Sequence, residues 1–284
     1  MEVAQKTYIC CFWKIYNMKE NIIRGLSGVM YVSILVVSIF SSEFAFTTLF
    51  LLFGIICLRE LQRLLHLKSY LGYFLLFFLF YLFSYARWSP YATMVLLIIT
   101  LFVNMFLVKD LMLVNKIPLF EKKKYVIIVF YLIASLIFLT LIPSYTGDFT
   151  PELVIGIFSL IWINDTFAYL VGKNFGKKKL FERISPKKTV EGFLGGLIFS
   201  AVAAYLVYFL TGLLNLHTWV GMAIILSIFG TLGDLIQSKF KRQAGVKDSG
   251  RLMPGHGGLF DRLDSIIFAS PFVYAFLQFL NYVS

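Results

Sequence analysis

Nine mostly apolar stretches recur along this 284-residue chain, most of them near the length at which a helix crosses a bilayer, about 20 residues. They fall at roughly 25–42, 43–58, 70–86, 91–108, 126–145, 153–172, 193–210, 219–238 and 264–281. In lipid only helices and closed barrels satisfy every backbone N–H and C=O. These stretches are continuous rather than alternating, so helices are expected. The expected fold is an all-α polytopic membrane protein with about nine transmembrane helices. Composition agrees, with 59% hydrophobic residues, 14% charged residues and 31 phenylalanines.

The loop charges test that count. With the N-terminus cytoplasmic and the C-terminus outside, every one of the 26 Lys and Arg except Arg87 falls in a cytoplasmic segment. Such an asymmetry is what the positive-inside rule requires. The net charge of +11 therefore describes one face, drawn to anionic headgroups. Nucleic acid is not an expected partner, because the cations are distributed as topology demands. Cys10, Cys11 and Cys57 have no disulfide or metal spacing, and no role is assigned to them. The first apolar run has no small-residue cleavage site after it and is expected to be a retained helix.

Residues 1–24 are expected to form a cytoplasmic N-terminal segment, with 1–17 read either as a short interfacial stretch or as an extension ahead of a natural start at Met18. Residues 25–150 carry few ionisable groups within their spans and read as a transmembrane scaffold of about five helices. Residues 151–284 gather charge at helix ends and in two long cytoplasmic loops, and read as the catalytic region of one integral-membrane unit.

Within that region, Ser238–Asp264 packs six basic residues and three aspartates between two apolar spans. On a continuing helix Asp234, Ser238, Lys241 and Arg242 share one face; at the far end Asp261 and Asp264, three apart, share another. Carboxylates at membrane depth are costly and need partners. Two facing helices that each offer one make an oxygen-ligand site suited to Mg²⁺ and phosphate. The competing reading is a set of Asp–Lys or Asp–Arg bridges that only pin the loop. Gly255, Gly257 and Gly258 allow close backbone approach to a ligand. His256 is better read as a loop organiser than as a base.

Two further groups lie upstream. Asp165, Tyr169 and Gly172 share a helical face beside Asn164, suiting either a substrate contact or an interhelical hydrogen bond. Ser185 followed by Pro186 suggests an N-cap and first helical residue, placing Lys187 and Lys188 in the first turn. Cations there make sense around a bound anion, and topology alone is the competing reading. Lys177, Lys178 and Lys179 are assigned to topology. No Walker loop, Ser/His/Asp set or Cys/His zinc site is present.

The run Ser238, Phe240-Lys241-Arg242, Lys247-Asp248, Gly250, Leu252 and His256-Gly257-Gly258-Leu259 through Asp261-Arg262-Leu263-Asp264 resembles the signature of the phosphatidate cytidylyltransferases. Gly233-Asp234-Leu235, the Ser185–Gly192 stretch with Thr189 and Glu191, and Asp165 through Gly172 are similar to the same family. The resemblance is specific from about 160 to 265. It implies transfer of the cytidylyl group of CTP to phosphatidate, giving CDP-diacylglycerol and pyrophosphate, with Mg²⁺ and room for a second cation. It further implies that Asp234 and Asp261 hold the metal and that Lys241, Arg242, Lys247 and Arg262 meet phosphates. Asp248, Asp264 and His256 would shape the loop.

The chemistry agrees with that implication. A phosphate nucleophile is already ionised, so cations and metal ligands are needed and a general base is not. CTP, phosphatidate and the bilayer are the expected partners, with a homodimer left open. The expected location is a bacterial inner or plasma membrane, with the site at the cytoplasmic face. A CTP-dependent enzyme acting on another lipid is the nearest alternative. An ion or solute transporter is the alternative from another class, disfavoured because no repeat is visible.

Overall fold

The computed structural model describes residues 23–114, 116–255 and 257–283. Among these residues the chain is an all-α polytopic membrane protein. Eight helices are long and apolar enough to cross a membrane: α1 (Ile23–Ser41), α2 (Glu43–Leu64), α4 (Pro90–Leu113), α5 (Glu121–Ser144), α6 (Pro151–Phe175), α7 (Val190–Thr211), α8 (Leu216–Gln243) and α9 (Phe260–Val283). A ninth, α3 (Leu71–Tyr85), is apolar but shorter, and its last turn, Tyr81–Tyr85, is a π-helix. Each sits where an apolar run predicts it. The expectations for residues 1–17 fall outside the described residues.

The helix ends carry the punctuation that local chemistry supplies. Ser42 separates α1 from α2 and accepts from the Ala45 N–H, and Ser89 caps α4 ahead of Pro90. Asn215 caps α8, and Gly212 closes α7 at φ +62°.

Two helices outrun their apolar stretches. The hydrophobic run of α2 ends near 58, yet the helix continues to Leu64; that of α8 ends near 238, yet the helix continues to Gln243. Hydropathy reports where lipid ends, and a helix can project beyond it. Glu60 is brought inside the fold by this extension.

The segment before α7 differs from the expected helix start. Ser185–Thr189 is a strand, β2, paired antiparallel with β1 (Lys179–Phe181) in the register Lys179 to Thr189 and Phe181 to Ser185. Ser185 is therefore not an N-cap, and Lys187 and Lys188 precede the helix instead of occupying its first turn. The cap is Thr189, whose hydroxyl accepts from the Gly192 N–H at 3.1 Å. Glu191 then accepts the N–H groups of Lys177 and Lys178 at 3.0 and 3.1 Å, locking the hairpin against the helix start. Strands this short leave no periodicity to detect, so the Ser-Pro signal misleads.

Close helix packing positions the polar groups. In a bilayer, helices associate through small residues that let backbones approach. A Cβ at Gly192 would lie 2.7 Å from the Ala168 carbonyl oxygen, and one at Gly196 would lie 2.7 Å from that of Asn164. α7 thus presses against the stretch of α6 that carries Asp165. A Cβ at Gly233 would likewise meet the Asp264 carbonyl oxygen at 2.7 Å. That contact sets Asp234 of α8 beside Asp264 of α9.

Candidate active site

These close approaches enclose a cavity of about 730 Å³ between α6, α7, α8, α9 and the hairpin. Four carboxylates line it: Asp165, Asp234, Asp261 and Asp264 from three helices, with Asp248 at the loop side. Lys187 and Lys188 from β2, Lys241 from α8 and Arg262 from α9 supply cations. Asp165 lies about 15 Å before the end of α6 and Asp234 about 13 Å before the end of α8, at 1.5 Å per residue. The site is a recess sunk into the bundle, not a patch on its end.

The carboxylates are tightly engaged. Lys188 Nζ is 2.6 Å from Asp234 Oδ2, and the Ser238 hydroxyl donates to Asp234 Oδ1 at 3.1 Å. Lys241 Nζ meets Asp261 Oδ1 at 2.8 Å. The other oxygen of Asp261 accepts from the Ser249 N–H and hydroxyl at 2.8 and 3.0 Å and from the Gly258 N–H at 3.0 Å. Asp264 is buried and accepts the Ser265 N–H at 2.8 Å. These contacts realise the bridging reading of the aspartates. Bridges do pin the loop, and they do so on the wall of a cavity.

Most of the residues singled out by sequence meet here, and some do not. Asp165, Lys187, Lys188, Thr189, Asp234, Lys241, Asp248, Asp261, Arg262 and Asp264 line the cavity. Ser238 and Gly258 stand behind it as donors to Asp234 and Asp261. Ser185 pairs with Phe181 in the hairpin, and Arg242 lies against the carbonyls of Ile184 and Val246 at 3.5 and 3.4 Å. Lys247 and Gly257 line a second recess on the far side of the loop. His256 lies outside the described residues.

The six basic residues of Ser238–Asp264 thus have different tasks. Lys239 is buried, and its ammonium donates to the Asp110, Leu111 and Val114 carbonyls at 2.7, 3.2 and 2.5 Å. These carbonyls close the C-terminus of α4, where that of Asp110 also accepts the Val114 N–H, so this cation is a helix cap. Lys179, assigned to topology by sequence, lines the cavity instead.

Glu60 is the residue sequence reasoning missed. It is 7% exposed, and its carboxylate accepts from the Ser249 hydroxyl at 2.7 Å and from the N–H groups of Leu259 and Phe260 at 3.2 and 3.0 Å. It caps α9 from another helix and shares Ser249 with Asp261. A signal existed: an acid four residues from a helix C-terminus opposes the dipole and needs partners.

The donor set suits a hard cation. Among the described residues the cavity lining offers carboxylate and hydroxyl oxygens and contains no His or Cys. Among the described residues no group of three or more His, Cys, Asp or Glu could hold a metal unaided. Such a partial set fits Mg²⁺, which is commonly bound by one or two carboxylates together with substrate phosphates.

Fold and cavity together define an integral-membrane protein with a polar recess lined by aspartates, lysines and an arginine. The chain matches the model of the cytidylyltransferase family over residues 22–280, and it belongs to that family. It is 52% identical over 115 residues to a phosphatidate cytidylyltransferase of Staphylococcus aureus (strain COL), covering 40% of this chain and 44% of that protein. It is 53% identical over 116 residues to the phosphatidate cytidylyltransferase of Staphylococcus haemolyticus (strain JCSC1435), with the same coverage. The matched part spans less than half the length of these curated relatives.

Proposed function

We propose that this protein transfers the cytidylyl group of CTP to phosphatidate, forming CDP-diacylglycerol and pyrophosphate for phospholipid synthesis. The observation that carries this is the cavity itself: five aspartates interleaved with lysines and an arginine, next to lipid-facing helices. The staphylococcal relatives, both phosphatidate cytidylyltransferases, support the same reaction.

An oxygen of the phosphatidate phosphomonoester would form a new bond to the α-phosphorus of CTP. The bond to the β-phosphate breaks, and pyrophosphate leaves with the electron pair. No proton has to be removed, because the attacking phosphate is ionised at neutral pH. What the protein must supply is orientation and neutralisation of four or more negative charges. Lys187, Lys188, Lys241 and Arg262 are placed to do so, and the Glu60–Ser249–Asp261 chain holds the loop that carries Arg262's neighbours.

Asp234 and the Lys241-facing oxygen of Asp261 would hold Mg²⁺ together with the substrate phosphates. When bound, the ion supplies charge neutralisation and polarises the transferred phosphoryl group. Lys188 and Lys241 would then turn from aspartate toward phosphate. The cations of the cavity come from segments that the loop-charge asymmetry assigns to the cytoplasm, which supports a cytoplasmic opening reached by soluble CTP. Residues 151–284 would form the catalytic region, with 25–150 as its support.

The test is direct. Purified protein in mixed micelles with CTP, Mg²⁺ and phosphatidate should release pyrophosphate and form CDP-diacylglycerol. Absence of both products across lipid and metal conditions would falsify the assignment.

A further inference from the structure

Behind the aspartates lie two buried polar side chains to which the proposed reaction assigns no task. Tyr131 of α5 and Gln237 of α8 are both fully buried. The tyrosine hydroxyl and both amide atoms of the glutamine have no hydrogen-bond partner among the described residues. A buried polar group left unpaired costs about 1–3 kcal/mol, so each such case calls for a reason.

Packing brings both residues to Asp264. The Tyr131 ring lies 6.2 and 6.1 Å, centre to centre, from those of Phe260 and Phe268 of α9, and 5.9 Å from that of Phe240 of α8. Phe260, Asp264 and Phe268 are spaced four apart and share a helical face, so Tyr131 sits against the turn that carries Asp264. Of the carboxylates, Asp264 and then Asp234 act most strongly on its hydroxyl. Gln237 reaches the same place from α8. Positions 233, 237, 240 and 241 form one face of that helix. Gly233 approaches the Asp264 carbonyl and Phe268, Phe240 meets Tyr131, and Lys241 meets Asp261. Gln237 lies in the middle of these contacts. Asp264 also lines the cavity, so it stands between the reacting centre and this pair.

The backbone singles out the same residue. Ile127–Ile133, which contains Tyr131, is a π-helical stretch within α5. Such stretches are rare and are frequent at functional sites. A phenol and an amide are also apt donors for this position. They can fix the direction of a carboxylate without cancelling its charge, as a lysine would. We infer that Tyr131 and Gln237 are positioning residues for Asp264, donating to its carboxylate from behind when a cation and phosphates fill the cavity. Asp264 then presents its charge to the reacting centre at a set angle. This rests on the proposed reaction, which brings those ligands into the cavity.

Tyr131→Phe removes the hydroxyl and keeps the ring against its three phenylalanines; Gln237→Leu removes the amide at similar volume. Because the hydroxyl is unpaired in the resting protein, Tyr131→Phe should melt at the wild-type temperature or above it. Its kcat should fall about tenfold, equivalent to about 1.4 kcal/mol, with KM for CTP and for phosphatidate unchanged. Gln237→Leu should lose a similar factor, and the double variant little more than either, because both donors act through one carboxylate. A readout without turnover is the fluorine resonance of 3-fluorotyrosine in place of Tyr131, which should shift when CTP and Mg²⁺ are added without lipid. Unchanged kcat in Tyr131→Phe overturns the inference. So does a lowered melting temperature in that variant, which would show a structural partner for the hydroxyl, or a stationary resonance in a protein that turns over. A resonance that shifts in a protein forming no CDP-diacylglycerol would sink the reaction and keep the inference.

Discussion

The helices of residues 23–145 and those of 151–283 look alike by hydropathy but use their polar groups differently. In the first half, polar pairs tie helix ends together. Glu43 meets Arg87 and accepts from Ser144, and Asp110 holds Lys123 at 2.5 Å. In the second half, aspartates and lysines from different helices converge on one cavity. The difference shows that a membrane helix tolerates charge for two reasons, anchorage and chemistry, and that convergence separates them. The boundary is nevertheless crossed: Glu60 and Arg24 from the first half reach the loop of the second, and Lys239 of the second caps a helix of the first.

Substitutions across this divide should have graded effects. Asp234→Asn should cause the largest loss, about 10³-fold in turnover or more, if its carboxylate holds the proposed cation at the reacting centre. The protein should still extract and melt as a folded species. A tenfold effect or less would move the cation elsewhere in the cavity. Asp261→Asn is a less clean test, because it also disturbs the Ser249 and Gly258 hydrogen bonds.

Glu60→Leu comes next. It leaves the Leu259 and Phe260 N–H groups without their acceptor, at about 1–3 kcal/mol each, and should cut turnover about 100-fold while loosening the loop. Hydrogen exchange at Leu259 and Phe260 should accelerate, and Glu60→Gln should restore part of the protection. Normal exchange in the Leu variant would show that the loop is held by Asp261 alone, and the division between the halves would then be sharper.

Lys239→Met should lower stability by about 1–2 kcal/mol through the lost cap on α4, with KM for both substrates unchanged. A selective rise in KM for CTP would return this lysine to the site. Arg87→Ala should be the mildest, within about 1 kcal/mol by chemical or thermal denaturation and without effect on turnover, because the Glu43 pair is partly exposed. An inactive, folded Arg87 variant would break the comparison outright.

Much of this protein was legible without coordinates. Apolar runs locate the nine helices of the described residues, because a continuous hydrophobic stretch in lipid satisfies its backbone as a helix. The charged loop between α8 and α9 locates the site, because charge so dense in an apolar chain demands partners. The helical spacing that groups Asp234 with Ser238 is realised as a hydrogen bond. Local reading failed where a partner distant in sequence decides. Ser185 loses its capping role to a strand pairing with Phe181, and Lys239 turns from the site to carbonyls some 125 residues away in sequence. Glu60, 189 residues from Ser249, carries no local sign of what it holds. Sequence alone thus determined which segments enter the membrane and which residue types gather at one end, since both follow from the solvent each residue meets. Only the tertiary structure decided which charge faces which: that depends on helix contacts such as Gly233 against Asp264, set by packing across the bundle.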